Sequence, residues 1–190
     1  IVTKASFKEN LSLKLLIFGG LGYLGRLMTM WSNINQVRKV SLLSRLARFR
    51  KIQPNLFCTT ALMGISKCKI ESFEEVRQIS SIHRSFGNTI VNASGLLRDG
   101  TIELQSFNTI SIVITPKCSG MHRVIKSFES RAPIQNYIFF SSIATFLASP
   151  GQINYVAANA SLDNHARTIQ IRGHACVSIQ WGGWEGDGGM

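Results

Sequence analysis

The chain has 190 residues, 45% hydrophobic and 16% charged, with a net charge of +11. That balance excludes a disordered chain and supplies enough apolar surface for one packed domain over residues 1–190. Its apolar runs stay short of the ~20 residues that a bilayer span needs, so no membrane partner is expected.

Residues 1–10 carry Lys4, Lys8 and Glu9 rather than a secretory leader, and a start at Ile1 reads as a fragment of a larger multidomain chain. Leu13–Phe18 is an apolar run ending in glycines and predicts a strand, and Leu21–Trp31 predicts the helix that follows. Val40–Leu43 predicts a second strand, succeeded by a basic segment with Arg45, Arg48, Arg50 and Lys51. Leu56–Leu62 reads as a third strand, which Ser66–Ile70 extends or replaces. Ser72 before Glu74 and Glu75 is a helix start, and Phe73, Val76, Ile79 and Ile82 share the spacing of a helix over Ser72–Phe86. Thr89–Ala93 predicts a strand. Ile102–Ile125 predicts one long helix or two abutting ones, with Pro116 in the middle. Tyr137–Phe140 and Ala175–Gln180 predict strands on either side of a helix at Ala157–Ile171. Strands alternating with helices imply an α/β chain whose parallel sheet is covered on both faces. Ligands of such sheets sit beyond the carboxyl ends of the strands.

Cys58, Cys68, Cys118 and Cys176 show neither C-x-x-C nor zinc spacing, so no metal is expected and a reduced, cytoplasmic compartment is. The positive charge favours an anionic partner. It is not interleaved with aromatic residues, and no nucleic-acid motif accompanies it, so nucleic acid is not expected.

Residues 18–25 read FGGLGYLG, and Gly20, Gly22 and Gly25 form G-x-G-x-x-G between a strand and a helix. Such a loop allows a tight turn and close backbone approach to a pyrophosphate, and the helix N-terminus offers free N–H groups. After the second strand stand Ser44 and Arg45, where an NAD site usually has an acid. A planar guanidinium there grips a 2′-phosphate, which favours NADPH.

Residues 140–159 read FSSIATFLASPGQINYVAAN. Ser142 lies thirteen residues before Tyr155, and Asn159 lies one helical turn after it. Lys117 is expected on the helix after the strand at 89–93. Tyrosine, serine and lysine together can reduce a ketone: the phenol donates a proton to the carbonyl oxygen, the serine hydroxyl hydrogen-bonds the developing oxyanion, and an ammonium supports the phenolate. Asn159 would orient a water or a backbone group in the proton relay.

These segments, with LLSR at 42–45, VNASGLLRDG at 91–100, TPKCSG at 115–120, the run at 140–166 and WGGWEGDGGM at 181–190, resemble the short-chain dehydrogenase/reductase superfamily. Within it they are most similar to the ketoreductase domains of polyketide and type I fatty-acid synthases. Ordinary members place lysine four residues after the tyrosine and asparagine on the earlier helix; here Asn159 and Lys117 are exchanged, as in the synthase domains.

The resemblance implies a Rossmann-like doubly wound sheet, truncated before the substrate lid. It implies NADPH held by Gly19, Gly20, Leu21, Gly22, Tyr23, Leu24, Ser44, Arg45, Ala93, Ser94 and Gly95. Lys117, Ser142, Tyr155 and Asn159 would be catalytic. The substrate would be a β-ketoacyl chain on the phosphopantetheine arm of an acyl carrier protein, and other synthase domains would be partners. Asp99 occupies a stereochemically diagnostic position and implies a D-configured hydroxyacyl product; Leu147 stands where the opposite class has tryptophan. Two residues depart from the pattern. Phe18 replaces a threonine before the glycines, and Lys69 replaces an aspartate that contacts adenine. A non-catalytic reductase fold within a synthase is the alternative those departures suggest.

Overall fold

The computed structural model describes residues 13–35, 37, 39–47, 62–84, 88–131 and 134–184. Residues 56–61 of the strand expected at Leu56–Leu62, the basic residues Arg48, Arg50 and Lys51, and the tail at 185–190 lie outside the described residues.

The elements run β1 (Lys14–Phe18), α1 (Tyr23–Ile34), β2 (Lys39–Ser44), β3 (Leu62–Lys67), α2 (Phe73–Ile82) and β4 (Asn88–Asn92). A short 3-10 turn (Ile102–Leu104) precedes α3 (Phe107–Ile114) and α4 (Ser119–Glu129). Then come β5 (Ile134–Ser142), α5 (Ala144–Leu147), α6 (Ile153–Ile171) and β6 (Ala175–Trp181). The sheet is six-stranded in the order β3-β2-β1-β4-β5-β6, with every neighbouring pair parallel. It is the Rossmann-like α/β fold that the sequence implies. The chain winds outward from β1 to β3, then restarts at β4 on the other side. A crevice therefore opens between the carboxyl ends of β1 and β4, the usual ligand position in such sheets.

Side-chain alternation sorts each strand between two apolar layers. Leu16, Phe18, Ile90, Tyr137 and Phe139 pack with α2, α4 and α6 through Val76, Met121, Phe128 and Leu162. Leu15, Ile17, Val40, Leu42, Val91 and Phe140 form the opposite layer, against which Leu24 and Met28 of α1 pack. Both faces are apolar, which is why the strands read as hydrophobic runs rather than alternating ones.

Two local expectations are corrected, and the open choice at 102–125 is decided for two helices. The third strand is Leu62–Lys67, between the two candidate runs, and pairs with β2 from Lys39↔Leu62 to Ser44↔Lys67. The stretch 102–125 breaks into a turn and two helices: Pro116 lacks a backbone donor, and Cys118 leaves helical geometry at φ −93°, ψ −95°. The helix expected from Ala157 begins at Ile153, so Tyr155 lies in its first turn. The turn-like composition of Gly151, Gln152 and Asn154 masks that start in the sequence. No helix among the described residues is long and apolar enough to cross a membrane.

Candidate active site

The glycine loop connects β1 to α1 beneath the crevice. Gly19 adopts φ +76°, and a Cβ there would lie 2.6 Å from the Ser94 Cα and 2.7 Å from the Ala93 carbonyl carbon. The turn thus needs glycine at a position one residue before the G-x-G-x-x-G match. Gly19→Ala is expected to cost about 2 kcal/mol or more, read as a drop in Tm of roughly 4–8 °C by thermal unfolding. At Gly25 a Cβ would meet the Gly20 Cα at 2.5 Å, so that glycine lets helix and loop touch. Gly22 caps α1 without a side-chain hydrogen bond, and the first turn has no acid. Its free N–H groups and dipole suit a pyrophosphate.

A cavity of about 190 Å³ lies over this loop. Gly19, Gly22, Ser44, Arg45, Ala93, Ser94 and Gly95 line it, so seven of the sequence-predicted cofactor residues meet there. Phe18 also lines it: the side chain that replaces threonine is buried in the core as the last residue of β1. Cys68, Ile70 and Glu71 close the side at β3; Lys69 is exposed and is not among the lining residues. Burial, with the Glu75 and Glu71 carboxylates adding to it, pushes the Cys68 thiol up to about 12, so it stays a thiol. Leu24, also a predicted cofactor residue, borders a second, smaller cavity with Ala93, Ser94, Lys117, Phe140, Ser141, Tyr155, Trp181 and Trp184. Neither cavity has Gly20, Leu21 or Tyr23 in its lining; Gly20 lies beneath, donating its N–H to the Ile17 carbonyl at 3.2 Å.

Lys117 sits in the turn between α3 and α4, not on a helix, and is 3% exposed. Its Nζ donates to the Phe140 carbonyl at 2.9 Å and to Asn159 Oδ1 at 2.6 Å. It also lies 5.6 Å from the centre of the Tyr155 ring. Burial lowers the lysine to about 7, against a smaller opposing pull from the Asp163 carboxylate. Asn159 Nδ2 in turn donates to the Tyr155 carbonyl at 2.9 Å. Asn159 therefore meets a backbone group, one of the two partners the sequence suggested, and also holds Lys117 directly, which the sequence did not suggest.

Ser142 is the last residue of β5, and its Oγ accepts from the Ala144 N–H at 3.2 Å. That leaves its own hydrogen without an acceptor among the described residues. The Tyr155 hydroxyl likewise has no hydrogen-bond partner among them. Asp99 Oδ2 accepts from Gln152 Nε2 at 2.9 Å, and Gly100 N–H donates to the Gly151 carbonyl at 2.9 Å. The 99–100 loop is thereby tied to the segment that leads into α6. Asn154 reinforces this seam, donating to the Arg98 carbonyl at 2.8 Å and to Gln105 Oε1 at 3.1 Å.

Sequence reasoning missed Asn154, Trp181 and Asn92. The Asn92 Oδ1 accepts the Ser94 N–H at 3.0 Å and so shapes the loop over the cavity. The only signal for Asn92 was its place at the polar end of a strand. Among the described residues no group of acidic, histidine and cysteine side chains could hold a metal ion.

The family model of the KR domain matches residues 14–186. The chain is 29% identical over 198 residues to the 6-methylsalicylic acid synthase of Penicillium terrestre, covering 91% of this chain and 11% of that protein. It is 28% identical over 181 residues to the polyketide synthase GfsA of Streptomyces halstedii, covering 92% of this chain and 2% of that protein. The chain thus spans only a small part of the curated relatives it matches. Among solved structures, an N-terminal ketoreductase from the macrolactin assembly line superposes with a TM-score of 0.81 at 27% identity, covering 96% of this chain and 39% of that one.

Proposed function

The chain belongs to the KR domain family of ketoreductases, and from that premise we propose that it uses NADPH to reduce the β-ketone of an acyl chain carried on an acyl carrier protein. The observation that carries this reading is the buried Lys117, hydrogen-bonded to Asn159 and 5.6 Å from the Tyr155 ring. Burying a lysine is costly, and a site that polarises a phenol is a chemical use for one.

The cradle fits the cofactor: a glycine turn with no room for a Cβ, an uncapped helix N-terminus, and Arg45 at the cavity wall. The pyrophosphate would lie over Gly19–Leu24, the phosphoribose at Ser44 and Arg45, and the nicotinamide half near Ala93, Ser94 and Gly95. Bound there, NADPH supplies the hydride that the carbonyl carbon takes up. The chain's own groups handle the oxygen. The Ser142 hydroxyl donates a hydrogen bond to it as negative charge develops. Tyr155 transfers its phenolic proton to the same oxygen. The Lys117 ammonium stabilises the phenolate that remains, and Asn159 holds that ammonium in place. Asp99, anchored to Gln152, bounds the entry to α6 and would fix which face of the ketone is presented, giving the D-configured alcohol. The basic surface would receive an acidic carrier protein within a multidomain synthase of the cytoplasm, of which residues 1–190 would form one reductase domain.

Arg45→Ala tests the cofactor. NADPH affinity is expected to fall by about 10–100-fold, one charge-assisted contact, with NADH affinity unchanged. Titration of both nucleotides against parent and variant reads this directly. Equal affinities, indifferent to the substitution, would sink the assignment.

A further inference from the structure

Lys117 is buried, yet the two acceptors that meet its Nζ, the Phe140 carbonyl and Asn159 Oδ1, are both neutral. A buried cation is destabilised unless a negative charge acts on it across the low-dielectric interior. One carboxylate is built into this region. Asp163 follows Asn159 by four residues on α6, so the two share a face of the helix. Its Oδ1 accepts from Ser178 Oγ at 2.5 Å and its Oδ2 from Gln180 Nε2 at 2.9 Å. Those two residues of β6 flank Ile179, which lies opposite Phe140 in the sheet. The carboxylate is thus pinned over the strand next to the one whose carbonyl receives Lys117. The other ionisable groups on the surrounding elements do not supply that charge. β4 and α3 have none, and α1 brings only Tyr23 and Arg26. Burial pushes up Tyr137 of β5 and Cys176 of β6, the latter to about 12, so both stay neutral. Besides Tyr155, α6 carries the exposed Arg167 and His165, which burial lowers and whose Nε2 lies 3.1 Å from the Cys118 carbonyl. α4 brings His122, Arg123 and Lys126; its acid, Glu129, is exposed and pairs with Arg172. Asp99 is exposed and bonded to Gln152. The Asp163 carboxylate is the group that opposes the effect of burial on Lys117.

We propose that Asp163 is a positioning residue of the reductase site: its carboxylate, anchored to β6 by Ser178 and Gln180, is the counter-charge that holds the positive charge on Lys117 beside Tyr155. The proposal rests on the reductase reading above. Asp163 lines neither cavity and acts through Lys117. The two anchors fix where the charge stands, so its pull on the ammonium does not depend on a mobile side chain. Gln180 Nε2 also lies 3.3 Å from Thr145 Oγ1, which donates to the Ser142 carbonyl at 2.9 Å. Ser178 makes no such second contact among the described residues and is therefore the anchor to vary.

The test follows kcat for NADPH oxidation with a small surrogate ketone, and stability by denaturant unfolding, from roughly pH 5.5 to 9 in the parent, Asp163→Asn and Ser178→Ala. Asp163→Asn keeps the side-chain shape and removes the charge; Asp163→Ser, smaller and also neutral, replaces it should the amide clash with Gln180. The fall in kcat with rising pH should come about half a unit to one unit lower in the neutral variant than in the parent. On the alkaline limb turnover then drops about 3–10-fold, while at the acid end the two curves converge. The rise of stability with pH should begin lower by the same interval, because the folded chain releases the Lys117 proton earlier. Ser178→Ala loses one anchor and keeps the charge, so its midpoint should stay at the parent's. A neutral variant with the parent's midpoint, its kcat scaled by one factor at every pH, overturns the proposal and leaves Asp163 a packing role. So does Ser178→Ala displacing the midpoint as far as the neutral variant does. No turnover by the parent at any pH defeats the reductase reading itself and takes the proposal with it. The onset of the stability rise, which needs no substrate, tells that failure from this one.

Discussion

Tyr155→Phe should lower kcat for NADPH oxidation with a β-ketoacyl thioester or a small surrogate ketone by about 10²–10⁴-fold, the range spanned by a positioned general acid. The substitution removes one oxygen and keeps the ring. The ring lies in the first turn of α6 beside Lys117, so the packing and the Lys117–Asn159 bond survive. NADPH affinity should therefore stay within about twofold, since no cofactor contact in the proposed arrangement uses the phenol. A fall in kcat with unchanged binding separates loss of the proton donor from loss of the fold. Equal turnover by the phenylalanine variant and the parent would remove Tyr155 from the mechanism and leave the non-catalytic alternative standing.

Lys117→Met should abolish a pH dependence that the parent shows in both stability and rate. Burial lowers Lys117 to about 7, whereas a lysine in the unfolded chain keeps its ordinary value near 10.5. Between those values the unfolded chain holds the proton and the folded chain does not. Stability from this group therefore rises as pH climbs from about 7 to about 10.5, and its burial penalty is full below about 7. The span corresponds to about 5 kcal/mol. Denaturant unfolding of parent and methionine variant across that window isolates it, because every other titrating group cancels in the difference. At low pH the variant escapes the burial penalty but leaves Asn159 Oδ1 and the Phe140 carbonyl without a donor, about 1–3 kcal/mol each. The diagnostic is thus the slope of the difference, not its size at one pH. In turnover, the parent's kcat should fall as pH rises through about 7, where the supporting ammonium loses its proton, while the variant stays low and flat. Parallel unfolding curves would show that Lys117 titrates normally.

The glycine loop, most strand positions and the Ser142, Tyr155 and Asn159 triplet were legible from residue type and spacing. They depend on short-range rules: a turn that needs glycine, apolar runs buried on both faces, a helical period of four. Arg45 was legible for a similar reason, as a cation where a strand ends. Helix boundaries were less so. The start of α6 at Ile153 is secured by Asn154 bonding to Arg98 and Gln105, which are distant in sequence, and no local pattern announces it.

By itself the sequence determined which groups are present and in what order: a parallel α/β chain, a dinucleotide loop, and a phenol, a hydroxyl, an amine and an amide with the spacing of a reductase. Only the tertiary structure decided what those groups meet. It put Lys117 in a helix break and buried it against Asn159 and β5, turning an ordinary surface cation into one that titrates near neutrality. It turned Lys69 away from the cavity and left Glu71 on its wall. The physical reason is the same in both cases. Spacing fixes neighbours within one element, but the environment of a charge is set by solvent exclusion and by partners from other elements, and these exist only once the sheet has assembled and the helices have packed on it.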